Sequence, residues 1–238
     1  MLDKKLEISE SFIAEFLSPR LTVIITTIDD KGRVNAAPFS FFAPLSYVPP
    51  IVCFSVTFSK HNDFVRFHFG ENEPGFSEVL KLEEYAGETE KTHKDTLANV
   101  MEQGEFGVNI LPIENLHQLG ITSGVFPIGV NEIEMAGLTT YPSARIKPPL
   151  IKEAKVSLEC VKVADHNLDP VEYRITLIIG KGVVAHVDSD ILEGEEIKPE
   201  RMRSILQFSG RMFGVCTDLH SEDRIRYGKV ISMLKSTR

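Results

Sequence analysis

The apolar positions of this chain fall mostly in β-branched runs, with few of the three-and-four steps a helix would need. Leu21 to Arg33 reads LTVIITTIDDKGR, an apolar run that turns at Asp29-Asp30-Lys31-Gly32, and a second run, PPIVCFSV, spans Pro49 to Val56. Valine, isoleucine, threonine and phenylalanine favour a pleated, packed surface, and Asp-Lys-Gly supplies the positive-φ turn. The order predicted is strand, hairpin turn, strand, loop, strand. Between the second and third strands lies NAAPFSFF, Asn35 to Phe42, rich in small residues and phenylalanine. Small side chains there let a flat ligand approach the backbone, whose N–H and C=O groups can read its polar edge.

Elsewhere the pattern changes character several times. Phe12, Ile13, Phe16 and Leu17 stand at helical spacing in residues 1–18, and Pro19 ends that segment. Lys60 to Thr92 is an excursion rich in Glu and Lys and broken by Gly70, Pro74, Gly75 and Gly87; SEVLKLEEYA within it has a helical face. Its cluster Phe64, Phe67, Phe69 and Phe76 either packs on the domain or hangs over a ligand as a lid. In HKDTLANVMEQGEFGVNI, Asp95 or Thr96 is expected to cap a helix that turns Leu97, Val100 and Met101 to the core and ends at Gly104. Phe106 to Leu111 then returns as a strand.

Residues 112–150, with helical hints at Asn115 to Leu119, read as connection wrapped around the core. Beyond Leu150 the positions Ala154, Val156, Leu158 and Cys160 alternate with polar residues and then shift phase to Val161 and Val163, as a bulge requires. EYRITLIIGKGVVAHVDSDIL reads as a strand pair broken at Gly180-Lys181-Gly182, and Ile205 to Val215 precedes a charged, helix-like tail. Six or seven strands with few helices make the fold class mainly β, a barrel that hides its edges.

Composition narrows the function classes. A length of 238 residues suits one large all-β domain or two small ones, and the net charge of -8 argues against a nucleic-acid or anionic-membrane surface. No apolar run reaches the roughly 20 residues of a membrane span, and the polar start is unlike a signal peptide, so the expected location is cytoplasmic. Cys53, Cys160 and Cys216 are widely spaced and read as buried free thiols. The seven histidines lack metal-ligand spacing, and His186, inside the strand-like VVAHV, is the one retained for function. There is no G-x-G-x-x-G, P-loop or G-x-S-x-G elbow. A helix starting beside Lys94 and a Thr hydroxyl is suited to an anion, because its first N–H groups and its dipole both favour negative charge.

Taken in order, TVIITTIDDKGRVNAAPFSFF, the PP before Ile51, HKDTLANVMEQGEFGVN, EMAGLTTYPSARIKPPLIKEAKVSLEC, GKGVVAHVDSDIL and SGRMFGV resemble the flavin reductase-like, FMN-binding split-barrel family. That resemblance implies one Greek-key split-barrel domain over 1–238 which dimerises with flavin near the subunit interface. By the same resemblance Asn35, Ala36, Ala37, Ser40, Phe41 and Phe42 hold the isoalloxazine. Ser55 and Thr57 contact ring and ribityl, and Lys94, Asp95 and Thr96 approach the phosphate. His186 and Phe213 close the pocket. It implies FMN or FAD as cofactor, NADH or NADPH as co-substrate, and a partner oxygenase or other acceptor. Its alternative is a flavoredoxin-like electron carrier without a nicotinamide site. Asn62 to Thr92 is an insertion relative to the family, with a lid role that would restrict the second substrate.

Overall fold

The structure, a computed structural model, describes residues 13–14, 16–58, 94–124, 126, 130–168, 174–209, 212–216 and 219. The expected lid with its four phenylalanines, most of the N-terminal helix and the charged tail lie outside them. Seven strands form one antiparallel sheet: β2 (Val23–Ile28), β3 (Val34–Phe39), β4 (Phe42–Ser46), β5 (Ile51–Phe58), β6 (Glu105–Ile110), β9 (Val156–Asn167) and β10 (Arg174–Val187). Their order is β3-β2-β6-β9-β10-β5-β4. The two end strands, β3 and β4, are therefore consecutive in sequence and separated only by Ser40 and Phe41. Such a sheet has to curl until its ends meet. Ser55 N donates to Phe41 O at 3.1 Å on the β4 side of that seam. Phe39 of β3 lies 5.0 Å from Phe54 of β5 between ring centroids, and Phe54 lies 5.2 Å from Phe106 of β6. Only a closed sheet brings Phe39 and Phe54 together.

β2 explains why an alternating pattern was not visible at the start of the sheet. Val23 and Ile25 face the barrel interior with Phe39, Val52, Phe54, Phe106, Val108, Cys160 and Ile178. Ile24 faces outward into a second core with Ala36, Leu111, Leu119, Ile133, Ile151 and Ile205. A strand buried on both faces reads as a continuous apolar run. The outer core is built by α2 (Leu116–Thr122), α3 (Glu132–Met135) and β8 (Leu150–Ile151), which pairs with β7 (Thr140–Tyr141). A second small sheet joins β1 (Arg20–Leu21), β13 (Leu206–Ser209) and β14 (Met212–Gly214). Residues 112–150 thus wrap the barrel as expected, with a short 3-10 turn at Ile113–Asn115 leading into α2. β11 (Leu192–Glu193) and β12 (Glu196–Ile197) form a small ribbon before α4 (Pro199–Met202).

Several expectations are corrected. Asn35 to Phe39 is strand β3, not a loop; Pro38 is tolerated because an end strand leaves one backbone edge unpaired. Gly180-Lys181-Gly182 does not break a strand pair, since β10 runs on for 14 residues, with register shifts against β9 between Ile179 and Gly180 and between Gly182 and Val184. The phase shift at Val163 is the same irregularity seen from β9, where Val163 is turned out to 52% exposure. Gly180 is required at this place because a Cβ would fall 2.3 Å from Phe106 Cζ. Met101 of α1 (Asp95–Gln103) is exposed, Leu97 and Val100 alone filling the core from that helix; Gly104 ends it in the left-handed conformation at φ 71. The N-cap is Lys94 with no side-chain cap, so neither Asp95 nor Thr96 plays that part. None of the three cysteines forms a disulfide, but Cys216 is exposed. Among the described residues no helix is long and apolar enough to cross a membrane, and no group of three or more His, Cys, Asp or Glu side chains is set to hold a metal.

Gly180→Ala is expected to lower stability by about 1–3 kcal/mol through overpacking. Adding Phe106→Leu should recover part of that loss, so that the two effects are non-additive in urea unfolding.

Candidate functional site

The hairpin register sets Asn35 opposite Thr27, so both side chains point into the same end of the barrel. Thr96 and Asn99, three residues apart on α1, share the helix face that meets them. Asn35 Nδ2 donates to Thr27 Oγ1 at 3.2 Å and to Thr96 Oγ1 at 3.0 Å, while Asn99 Nδ2 donates to Thr27 Oγ1 at 3.0 Å. All four side chains belong to buried residues. They therefore lock α1 over the barrel end, and the Asn35 amide nitrogen and the Thr96 hydroxyl are engaged with protein. Ala36 N, on the free edge of β3, donates to Glu132 Oε2 of α3 at 3.1 Å.

Docking of α1 fixes Lys94. Its Nζ stands 5.8 Å from the centroid of the Phe39 ring, and its backbone carbonyl accepts from the N–H groups of Leu97 and Ala98. Burial pushes the Lys94 ammonium below the ordinary lysine range, and among the described residues no anionic side chain is paired with it. A cation partly removed from water without an anion is costly, and a ligand phosphate is the group that would offset it. Half-buried Asp95 follows in the first turn. Ser40, Phe41 and Phe42 cross the barrel seam. Phe41 is 54% exposed with the Arg20 guanidinium 5.1 Å above its ring. Ser55 and Thr57 alternate with the inward Phe54 and Val56, so they face out beside that seam; Ala37 points inward against the core.

The remaining two predicted residues lie elsewhere. Phe213 of β14 packs against the outer core that contains Ala36. His186 stands on β10 nine residues beyond Leu177, which pairs with Ser55. At about 3.3 Å per residue that is roughly 30 Å along the strand. Within one chain His186 does not close a pocket with the seam residues.

His186 instead belongs to a second constellation. Its Nε2 is 2.6 Å from Glu159 Oε1, and Glu159 is wholly buried on β9. Three backbone N–H groups of one turn also converge on that carboxylate: Ala144 at 2.7 Å, Arg145 at 2.6 Å and Ile146 at 3.2 Å. Burial would raise the Glu159 pKa, but the bonds from Ala144, His186 and Arg145 outweigh it and hold the group below the ordinary carboxylate range. The Tyr141 ring meets the imidazole edge-on at 5.6 Å. Burial pushes its phenol upward, and nearby Ser157 donates to Asn109 Oδ1 at 3.0 Å. A cavity of about 190 Å³ opens beside this group, lined by Tyr141, Lys152, Ala154, His186, Val187 and Asp188. Sequence reasoning missed Glu159 and Tyr141. The available signal for Glu159 was a lone carboxylate between Leu158 and Cys160 in an otherwise apolar strand; Tyr141 sat unmarked in a Pro-rich connection.

Comparison with known proteins bears on the whole chain. The model of the flavin reductase like domain matches residues 17–214. An uncharacterised protein of Aquifex aeolicus (strain VF5) is 34% identical over 203 residues, covering 83% of this chain and 87% of that protein. Among solved structures, nitrilotriacetate monooxygenase component B from Bacillus cereus superposes with a TM-score of 0.71 at 27% identity, over 93% of this chain and 98% of that one. Flavoredoxin of Desulfovibrio vulgaris (Miyazaki F) shares the fold, with a TM-score of 0.68 at 14% identity over 96% of this chain and 100% of the other.

Two outcomes follow from the geometry itself. Removing the Asn35 amide with Asn35→Ala leaves the buried Thr96 hydroxyl without its donor and takes one of two donors from Thr27, and should cost about 1–3 kcal/mol in denaturant unfolding. Asp188 accepts from Lys155 Nζ at 2.7 Å, which lowers its pKa from 3.8 to about 2. A lowered carboxyl pKa stabilises the fold above pH 4 and loses that contribution as pH falls through 2. Lys155→Met should therefore flatten the Tm decline between pH 4 and pH 2.

Proposed function

Because the chain belongs to the flavin reductase-like family, we propose that it is an FMN-dependent oxidoreductase that oxidises NADH or NADPH and passes the reducing equivalents to an acceptor. The observation that carries the reading is Lys94, a desolvated ammonium at the N-terminus of α1 with no anionic protein partner among the described residues. The donor set fits a phosphate monoester: one ammonium, a helix N-terminus and the neighbouring Asp95–Thr96 backbone. Ser40, Phe41, Phe42, Ser55 and Thr57 are assigned to the ring and ribityl, since they are grouped at the seam, where Phe41, Ser55 and Thr57 face out and Phe42 packs against the inner core. Asn35, Ala36 and Ala37 support this surface from within β3, and Asn35 and Thr96 contribute through the position they give α1.

Bound flavin supplies the hydride chemistry. The chain's own task is to bind, orient and shield, which agrees with a site that has no strong acid–base pair beside Lys94 among the described residues. Phe41 offers an exposed aromatic face held by Arg20, and β4 and the turn after it continue it with Leu45, Tyr47 and Val48 at 55%, 93% and 91% exposure. Apolar exposure of that extent on a sheet end supports pairing of two copies along this edge, with flavin near the interface. The likeness to a monooxygenase component B supports an oxygenase as the acceptor. A second reading, an FMN electron carrier without a nicotinamide site, is supported by the fold shared with flavoredoxin.

Steady-state assays should show FMN-dependent oxidation of NADH or NADPH. Flavin that dithionite reduces while neither nicotinamide does would replace this reading with the carrier. Lys94→Ala should weaken FMN binding at least tenfold, as expected for losing a charge-assisted contact of about 1.5–3 kcal/mol. Fluorescence titration reads this directly, and unchanged affinity would remove Lys94 from the site.

A further inference from the structure

The cavity beside His186 lies at the opposite end of β10 from the residues assigned to flavin, and nothing in the flavin reading uses it. Its carboxylates are already engaged. Glu159 accepts from three backbone N–H groups and His186. Asp188 accepts from Lys155 through Oδ2 and from Asp190 N through Oδ1, and Asp190 Oδ2 accepts from Lys155 as well. Two groups on the cavity wall remain without a partner among the described residues: the Lys152 ammonium and His186 Nδ1.

The tautomer of His186 follows from its neighbour. An ionised carboxylate cannot donate, so Nε2 carries the proton in the bond to Glu159 and Nδ1 is the atom left for a ligand. Protonation at Nδ1 gives an imidazolium set between the buried Glu159 carboxylate and the cavity. An anion there would meet Nδ1–H on one side and Lys152 on the other. The rest of the lining is Tyr141, Ala154, Val187 and Asp188, whose carboxylate is paired with Lys155. About 190 Å³ admits a small molecule.

We infer that this cavity is a binding site for a small monocarboxylate with an apolar body, held by His186 Nδ1–H and Lys152, with Glu159 as the positioning residue that fixes the imidazole. The bound form pairs the ligand carboxylate with the imidazolium Nδ1–H, whose proton comes from solvent. No bond other than N–H forms, and no redox step is involved. The charged and titratable groups that surround His186 are Glu159 on β9, Tyr141 on β7, Lys152 after β8, and the Lys155, Asp188 and Asp190 cluster.

The test is an NMR titration of the intact chain with sodium benzoate, following the ¹⁵N and ¹H resonances of the His186 ring, with inorganic phosphate as the comparison anion. Saturating benzoate should move the His186 ring resonances, Nδ1 most strongly, and inorganic phosphate should move them less. Lys152→Ala should weaken benzoate about tenfold and His186→Gln should abolish its binding. In Glu159→Gln the ring should leave the single Nε2–H tautomer, a change that loss of packing alone would not produce. Should that variant fail to fold, Lys152→Ala and His186→Gln decide the matter, with circular dichroism confirming their folds. A His186 ring unmoved by benzoate, equal affinity in Lys152→Ala, or phosphate acting as strongly as benzoate would overturn the assignment.

Discussion

The structure depends on one closure. β3 and β4 stand at opposite ends of a seven-stranded sheet although only Ser40 and Phe41 separate them in sequence. A linker of two residues cannot span an open sheet, so the sheet rolls up, and the contact of Phe39 with Phe54 fills the interior where the ends meet. The seam is also where the backbone passes from one end strand to the other, which leaves Phe41 exposed beside Ser55. Docking of α1 over the barrel end follows from the same closure, because Thr27 and Asn35 point inward there and meet Thr96 and Asn99. Lys94 is thereby set with its Nζ 5.8 Å from the centroid of the Phe39 ring.

This arrangement separates scaffolding from chemistry. The polar atoms of Asn35 and Thr96 join helix to barrel, while Lys94 and the outward residues of the seam are left available to a ligand. The long strand β10 carries the separation further. Its early residues pair with Ser55 and Thr57, and its late residues hold His186 against Glu159, so a single strand supports two unlike environments. Gly180 makes the length possible by giving Phe106 the space that any side chain would occupy.

Much of this architecture was legible in the residues. The β-branched runs, the Asp29–Gly32 turn, the helix from Asp95 and the phase shift near Val163 all have local causes that a sequence displays. What was not legible depended on distant partners. Asn35 to Phe39 looked like a loop because its Pro and small residues are poor strand formers, and only its place at the end of the sheet makes them acceptable. Gly180 and Gly182 looked like a chain break because the Phe106 ring that requires a glycine lies far away in sequence. Thr96 resembled a helix cap, but the buried Asn35 amide claims its hydroxyl. Glu159 was hidden in an apolar strand, since the turn that solvates it, Ala144 to Ile146, gives no sign of its direction before the chain folds.

The central claim is that the barrel seam and the start of α1 together bind a flavin. A crystal structure of the protein soaked with FMN measures this most directly. The account predicts the phosphate within hydrogen-bond distance of Lys94 Nζ and the isoalloxazine against Ser40 to Phe42. Flavin density at the His186 end of β10, or a phosphate remote from Lys94, would contradict it.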